Sequence, residues 1–173
     1  LFYNIAYYKM YNCTQMLTSS PLTLYIIFIF AFLVTFDTQF LLFLILFLIF
    51  GIVLNVCLKQ IIQQDRPDGA EGCGLYTDFY KKSTFGMPSM HAQIWGIFSL
   101  FWSIYVIRNM HHCTLKKIIS ITIFFSLLIV VCRQRISSSC HTTKQVIVGS
   151  FVGFISAIIM YKICMCMLPS KFK

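Results

Sequence analysis

The chain has 173 residues, of which 58% are hydrophobic and only 11% are charged, and its mean hydropathy is +0.79. Soluble globular domains average about 45–50% apolar and about 25% charged residues, so this composition excludes an ordinary soluble domain. The net charge of +9 would suit a nucleic-acid-binding protein, but the 14 basic residues lie mostly between apolar blocks and form no single basic tract. The composition therefore predicts a membrane protein without a nucleic-acid partner.

Five apolar blocks follow one another along the chain. Their bounds are Leu22–Phe36, Phe40–Leu58, Ile94–Ile107, Ile118–Val131 and Val146–Leu168. A helix needs about 20 residues to cross the hydrocarbon layer. The second and fifth blocks meet this length alone, whereas the other three need flanking aromatic and polar residues to complete a span. We therefore predict an all-α, polytopic helical bundle with about five transmembrane helices.

No internal repeat or low-complexity linker divides the chain, which predicts one domain over residues 1–173. Within it we expect an N-terminal segment (1–21), a transmembrane core (22–168) and a basic tail (169–173). The N-terminal segment contains no cleavable signal pattern, so the first apolar block would act, if anything, as a signal anchor.

Five spans place the polar segments on two membrane faces. Residues 1–21, 59–90 and 133–145 would share one face, which then holds nearly every unusual polar residue of the chain. The turn at 37–39, the loop 108–117 and the C-terminal tail would lie on the other face. This segregation predicts a polar site at one membrane surface.

Several of the eight cysteines lie within or beside apolar blocks, where a thiol behaves as a small hydrophobic group. Cys13, Cys73 and Cys140 instead fall in the polar segments of one face. A bridge between Cys73 and Cys140 is allowed by this placement, although spacing alone does not select that pair.

Two basic residues follow the second apolar block. Lys59 closes the block, and Arg66 comes seven residues later, directly before Pro67. Seven residues make two helical turns, so both cations would lie on one face if the helix continued that far. Pro67 favours a helix boundary at this point. Taken alone, the pattern also fits an ordinary basic residue at a membrane boundary followed by a polar loop.

The segment Phe85–Gln93 joins a long polar loop to the third apolar block. Pro is favoured in the first turn of a helix, so Pro88 predicts a helix that begins at about this residue. The free amides of Ser89 and Met90, with the positive end of the helix dipole, would then form an anion site. Ser89 adds a hydroxyl and His91 an imidazole. A capped helix with an incidental histidine is the alternative.

A third polar segment, residues 135–145, leads into the last apolar block. Arg135 and His141 are expected in or beside a helix entrance. Gln145 comes four residues after His141, so one helical turn would bring its amide within reach of the imidazole. Without the other segments, this would be a positively charged loop between two spans.

Together the three segments have the groups that phosphoryl transfer requires. Its transition state spreads negative charge over three oxygens and needs fixed positive charges and hydrogen-bond donors. The predicted charges come from Lys59, Arg66 and Arg135, and Ser89 and neighbouring amides supply donors. Two histidines remain for the roles of nucleophile and acid.

The acidic residues offer no obvious metal pair. Apart from Asp37, they are scattered through one loop, as Asp65, Asp68, Glu71 and Asp78. A two-metal phosphatase needs carboxylates clustered within a few ångströms. The sequence therefore predicts a site without metal or other cofactor.

Three motifs carry a resemblance to a known family. Lys-x6-Arg-Pro at 59–67, Pro-Ser-x-His at 88–91 and Arg-x5-His at 135–141 resemble the signature motifs of the type 2 phosphatidic acid phosphatase superfamily. The resemblance extends from about residue 40 to residue 165 and implies a helical core like that of the vanadium haloperoxidases. The string Gly-Met-Pro-Ser-x-His-Ala-Gln, and Gln145 before Val146, resemble its dolichyl pyrophosphate phosphatase branch.

The resemblance implies roles for the two histidines. His141 would attack the terminal phosphorus to form a phosphohistidine, and His91 would protonate the leaving oxygen and then activate water. The phosphoryl oxygens would be held by Lys59, Arg66, Ser89, the amide of Met90, and Arg135.

The implied substrate is dolichyl diphosphate, a polyprenyl lipid whose tail would lie in the bilayer. Hydrolysis to dolichyl phosphate and phosphate would recycle the carrier lipid of protein N-glycosylation, at the endoplasmic reticulum membrane with a luminal site. The distribution of Lys and Arg over the two faces does not decide this orientation. The sequence is silent on the oligomeric state.

Two positions depart from the broad superfamily pattern. Met90 stands where Gly is usual, which leaves a backbone amide for anion binding if the side chain points away. Gln145 stands where Asp is usual, and a neutral amide fixes an imidazole tautomer without adding a negative charge. Two alternatives remain open: a phosphatase of another lipid phosphate, such as phosphatidate, a sphingoid phosphate or a polyprenyl diphosphate, and a catalytically silent lipid-phosphate binder.

Overall fold

The structure, a computed structural model, describes residues 20–68, 70, 73, 85–109 and 114–170. These residues form five helices and no strand. The helices are α1 (Ser20–Thr35), α2 (Thr38–Ile62), α3 (Met90–Asn109), α4 (Thr114–Ser137) and α5 (Thr143–Met167). The predicted all-α bundle is confirmed, with one helix for each apolar block.

Four of the five helices, α2 to α5, are long and apolar enough to cross a membrane. Flanking polar residues extend the short third and fourth blocks, so that α3 has 20 residues and α4 has 24. The apolar part of α1, Pro21–Thr35, is shorter. Large apolar side chains such as Phe30, Ile123 and Phe151 are exposed on the outside of the bundle, as expected for surfaces that face lipid.

Helix α3 is the central element, because it packs against α2, α4 and α5. Its contact with α5 is close, since glycines replace bulkier side chains where the two backbones meet. A Cβ atom on Gly149 would lie 2.5 Å from the carbonyl oxygen of Ser89, and one on Gly96 would lie 2.9 Å from that of Ser150. Small residues at the contact, such as these glycines, let helix backbones approach closely and are typical of helix pairs in membranes. The contact places the first turns of α3 and α5 side by side.

An aromatic cluster holds α1, α2 and α3 together. Phe43 on α2 lies with its ring centre 4.5 Å from that of Phe28 and 4.6 Å from that of Phe101. Phe47 and Trp102 extend the same cluster. Tilted and edge-on aromatic pairs stabilise a core beyond their buried area alone.

A buried polar cluster joins α2 to α3 nearer the polar end. Helix α2 contains a π-helical turn, Ile49–Val53, and the side-chain amide of Gln93 donates to the carbonyl oxygen of Phe50 in this turn (2.6 Å). Asn55 donates in turn to the side-chain oxygen of Gln93 (2.7 Å) and to the carbonyl oxygen of Pro88 (3.3 Å). Both amide side chains are fully buried. The cluster therefore fixes the segment that precedes α3.

Helix α2 does not continue to Arg66, so the condition for a helical pairing of Lys59 with Arg66 is not met. The helix ends at Ile62, because Gln63 adopts a left-handed conformation (φ 49°) and its N–H donates to the carbonyl oxygen of Lys59. Arg66 approaches the site from the irregular segment that follows.

Helix α3 begins at Met90, two residues after the predicted start. Ser89 is its N-cap, and the first helical hydrogen bond runs from the amide of Gln93 to the carbonyl oxygen of Ser89 (3.0 Å). The prediction that the Ser89 amide is free was wrong. It donates to the backbone oxygen of Gln145 (3.1 Å), because α5 lies directly against this turn.

Candidate active site

The residues predicted to form the site come together at one end of the bundle. Lys59 is in the last turn of α2, Arg135 is in the last turn of α4, and His91 is in the first turn of α3. Arg135 thus lies at the exit of a helix, not at the expected entrance. His141 lies in the turn between α4 and α5, and Gln145 in the first turn of α5.

Nearly all these side chains are shielded from water. Ser89 and Gln145 are fully buried, and Arg135, His141 and His91 are at most 5% exposed. Arg66 is half-buried. Burial of so many polar groups is costly unless they are paired or receive a charged ligand.

The imidazole of His141 is oriented by Gln145. Its Nδ1 lies 3.1 Å from the side-chain oxygen of Gln145, the contact that the four-residue spacing predicts. The same oxygen accepts the Thr142 amide (3.2 Å), and the Gln145 amide nitrogen donates to the carbonyl oxygen of Asp65 (2.8 Å). These two bonds fix which end of the amide is oxygen. Nδ1 of His141 must therefore carry the proton, which leaves Nε2 as the basic nitrogen.

The position of Gln145 itself has two further causes. Thr142 and Gln145 form a capping box at the start of α5, in which the hydroxyl oxygen of Thr142 accepts a hydrogen bond from the backbone N–H of Gln145 (3.3 Å). Gly86 faces the side chain of Gln145 so closely that an added Cβ would lie 2.5 Å from its nitrogen. The amide group is thus held on several sides.

Three positive charges act on His141. Its pKa is lowered from 6.5 to about 3, first by burial and next by the charges of Arg66 and Arg135. The hydrogen bond that His141 donates to Gln145 opposes this lowering of the pKa, and the charge of Lys59 adds to it. His141 is therefore neutral at physiological pH, the state in which Nε2 has a lone pair available.

Both arginines donate to backbone carbonyls at the site. Nη1 of Arg66 donates to the oxygen of Cys140 (3.3 Å), and Nη2 of Arg135 donates to the oxygen of Cys73 (2.9 Å). Cys73 and Cys140 form a disulfide, so the bridge that the sequence allowed is present in the structure. The burial of Arg66 lowers its pKa, which means that an anion beside it would be favourable.

Two buried polar atoms at the site have no hydrogen-bond partner among the described residues. They are the hydroxyl oxygen of Ser89 and Nε of Arg135. Unsatisfied buried polar groups are rare in folded proteins, and a catalytic or ligand-binding role is one of their recognised causes. Both atoms suit the oxygens of a phosphoryl group.

Met90 is the first residue of α3. Its side chain is partly buried and packs against the hydrophobic core. Its amide is among the first four of α3, which have no carbonyl partner within the helix. Anion binding at this amide is therefore compatible with a methionine at the position.

The described residues contain no group of three His, Cys, Asp or Glu side chains placed to hold a metal ion. Asp65 contributes its backbone oxygen to Gln145 and is itself exposed at the surface. Glu71 and Asp78 lie outside the described residues, as do Cys13 and the loop residues 110–113.

Sequence reasoning missed several residues that support the site. Thr-x-x-Gln at 142–145 is a capping-box pattern, and it was a usable signal for the start of α5. Gly86 belongs to the motif string at residues 86–93, but its role and that of Asn55 could not be predicted, because both depend on contacts with residues distant in the chain.

The chain belongs to the PAP2 superfamily, whose family model it matches over residues 40–165. It is similar to Dolichyldiphosphatase 1 of Dictyostelium discoideum, with 32% identity over 109 residues, or 62% of this chain and 44% of the relative. This similarity supports the dolichyldiphosphatase branch. It is also similar to lipid phosphate phosphatase epsilon 1, chloroplastic, of Arabidopsis thaliana, with 30% identity over 69% of this chain and 39% of the relative.

The chain therefore spans less than half the length of these curated relatives. No solved structure matches it.

Proposed function

We propose that the protein is an integral membrane phosphatase that hydrolyses dolichyl diphosphate to dolichyl phosphate and phosphate through a phosphohistidine. The observation that carries this proposal is the hydrogen bond between His141 and Gln145. It leaves Nε2 of a neutral imidazole available beside three positive charges. A nucleophile oriented by a fixed partner, together with preorganised positive charge, is the arrangement that phosphoryl transfer requires.

In the first step, Nε2 of His141 forms a bond to the terminal phosphorus. The bond between this phosphorus and the bridging oxygen breaks, and dolichyl phosphate leaves. His91 donates a proton to the departing oxygen. Gln145 continues to accept the Nδ1 proton, which stabilises the ring as it becomes positively charged.

In the second step, the neutral His91 takes a proton from water as the water oxygen attacks phosphorus. The bond between phosphorus and Nε2 breaks, inorganic phosphate leaves, and His141 is neutral again. The negative charge on phosphorus is balanced in both steps by Lys59, Arg66 and Arg135, and the Ser89 hydroxyl donates to it. No step in this scheme uses a metal ion.

The branch assignment favours dolichyl diphosphate as the substrate. The string at residues 86–93 and Gln145 resemble that branch, and Dolichyldiphosphatase 1 is among the relatives. A second candidate is a phosphatase of another lipid phosphate, which the names of the Arabidopsis relatives favour. A diphosphate head group offers more negative charge to three cations than a monophosphate does, so we propose that it is preferred.

The disulfide supports a location for the site. Disulfides persist in oxidising compartments and are rare in the cytosol. Cys73 and Cys140 lie beside the arginines of the site, so bridge and site share one side of the bundle. We propose that this side faces the lumen of the endoplasmic reticulum, where the product would serve protein N-glycosylation.

The test is phosphate release by the purified full chain from a panel of lipid phosphates. The panel contains dolichyl diphosphate, dolichyl phosphate and phosphatidate, each with and without excess EDTA. We expect dolichyl diphosphate to have the highest kcat/KM, with activity unchanged by EDTA. Equal hydrolysis of phosphatidate would favour the second candidate. Loss of activity in EDTA that a divalent metal restores would contradict the mechanism.

A matched pair of variants completes the experiment. His141→Ala removes the proposed nucleophile and should abolish turnover. Lys144→Ala removes an exposed cation from the same turn of chain and should leave turnover unchanged, because the side chain points to solvent. Equal loss in both variants would indicate unfolding and not a loss of chemistry.

A further inference from the structure

The Cys73–Cys140 disulfide lies between the two arginines of the candidate site. It joins residues that are 67 positions apart in the sequence. Each of its cysteines offers a backbone carbonyl to one arginine: Cys140 to Arg66 and Cys73 to Arg135. Both cysteines are buried.

Each of these two hydrogen bonds connects the same two chain segments that the disulfide joins. Arg66 belongs to the segment that contains Cys73, yet it donates to Cys140 (3.3 Å). Arg135 belongs to the segment that contains Cys140, yet it donates to Cys73 (2.9 Å). A shift of one segment against the other would therefore pull both carbonyls away from both arginines at once.

Little else in the described residues fixes the carbonyl of Cys73. Its amide donates to the carbonyl oxygen of Ala70 at 3.4 Å, and the amide of Ala70 donates to that of Pro67 at 3.3 Å. Both bonds are longer than the usual 2.7–3.2 Å and are correspondingly weak. Within the part of the chain that the structure describes, the covalent link to Cys140 is the strong restraint on this position.

The same link extends to the histidine. Cys140 directly precedes His141, and the amide of His141 donates to the carbonyl oxygen of Arg135 (3.2 Å). Arg135, Cys140 and His141 thus form one short turn, which the disulfide fastens to the segment after α2.

We propose that the Cys73–Cys140 disulfide is a positioning element of the phosphate site. It holds the two carbonyls that orient the guanidinium groups of Arg66 and Arg135, and so sets the position of both positive charges at the phosphate site. The inference rests on the proposed function insofar as these arginines bind phosphate. A displacement of about 1 Å in such groups can cost about 100-fold in rate.

The prediction concerns the folded protein in two redox states. Dithiothreitol supplies two electrons and two protons, which convert the disulfide into two thiols while the reagent closes to its cyclic disulfide. Oxidised glutathione reverses the change and is itself reduced to two molecules of glutathione. Reduction should lower kcat by about 10- to 100-fold with a smaller change in KM, and reoxidation should restore it.

Serine variants give an independent measurement. The double variant Cys73→Ser/Cys140→Ser should have the low kcat of the reduced protein and should not respond to dithiothreitol. Cys57→Ser and Cys166→Ser change exposed free thiols and serve as controls with the parent's response. Circular dichroism and gel filtration establish that each variant is folded, and if the double variant is not, the reduced parent takes its place.

Coupling between the disulfide and Arg66 distinguishes positioning from general stability. Arg66→Ala should cost less activity in the double serine background than in the parent, by at least about threefold, because the arginine is already misplaced there. Equal losses in the two backgrounds would overturn the proposal. So would unchanged kcat in a protein whose two thiols are shown by mass spectrometry to be reduced.

Vanadate binding, measured by calorimetry, separates this inference from the proposed function. Vanadate mimics the phosphoryl group and needs no turnover. We expect tighter binding to the oxidised than to the reduced parent, and equal affinities would overturn the positioning role. A parent that hydrolyses no lipid phosphate but binds vanadate in this redox-dependent way would contradict the proposed function alone.

Discussion

The side-chain oxygen of Gln145 lies 3.1 Å from Nδ1 of His141, while the other end of the same amide is held by the backbone of Asp65. The amide therefore has one orientation, and the imidazole has one tautomer. A glutamine performs here the orienting task that an aspartate performs in the broader pattern. It does so without placing a negative charge beside a phosphate site.

Replacing Gln145 tests this orientation. Gln145→Leu keeps the bulk but removes the acceptor, so both ring nitrogens compete for the proton. We expect kcat to fall by about 10- to 100-fold, or about 1.4–2.7 kcal/mol in barrier height. Steady-state kinetics with dolichyl diphosphate measures the loss, and Lys144→Ala is the control. Parental activity in the leucine variant would show that Gln145 does not orient His141.

Gln145→Glu tests the effect of placing a negative charge beside His141, where the parent has a neutral amide. The carboxylate keeps the acceptor for Nδ1 and should raise the pKa of His141, because the protonated ring gains a negative neighbour. We expect the acid limb of kcat/KM to move to higher pH than in the parent. The profile between about pH 3 and pH 9 measures the shift, and an acid limb at the same pH in both proteins would count against the contact.

Gly86 should be sensitive to even one added methyl group. An alanine Cβ would lie 2.5 Å from the side-chain nitrogen of Gln145, so Gly86→Ala should displace that side chain and lower kcat. Gly51→Ala is the matched control, because its Cβ would meet Tyr25 and Ile94 in the apolar core. The control should lower Tm while leaving kcat near the parental value. A lower kcat in Gly51→Ala together with a parental kcat in Gly86→Ala would contradict the role of Gly86 in holding Gln145.

The low pKa of His141 has a consequence for stability. Below pH 6.5 the unfolded chain takes up a proton on this histidine, whereas the folded protein does so only near pH 3. Stability is therefore lost as pH falls from about 6.5 toward 3, because the unfolded state binds more protons there. We expect Tm to decrease over this range, and to decrease less in His141→Gln. Identical pH profiles of Tm would contradict the burial of a neutral His141.

Asn55 stabilises the segment before α3 through its hydrogen bonds to Pro88 and Gln93. Asn55→Ala removes the donor to Gln93 and to Pro88 and should destabilise the fold by about 1–3 kcal/mol, since a buried acceptor loses its partner. Thermal unfolding in detergent measures this. Ser156→Ala, whose hydroxyl bonds only within α5, is the control and should have a smaller effect. Equal shifts in Tm would remove the special role of Asn55.

Much of the fold was readable from the sequence, because apolar blocks of sufficient length in a membrane protein specify helices by themselves. The residues of the candidate site were also readable, since their motifs are local. Apart from the contact between His141 and Gln145, the hydrogen-bond partners of these residues could not be predicted from the sequence. Helix α2 ends where it does because Gln63 adopts a left-handed conformation. The amide of Ser89 donates a hydrogen bond to the backbone oxygen of Gln145 because α5 packs against this turn. Neither contact has a sequence signal.

Detection of the covalent intermediate tests the central claim most directly. The protein is mixed with dolichyl diphosphate, quenched within milliseconds at alkaline pH, digested and analysed by mass spectrometry. We predict a phosphoryl group on His141 in the parent and none in His141→Ala. A phosphoryl group on any other residue, or turnover by His141→Ala at the parental rate, would contradict the account.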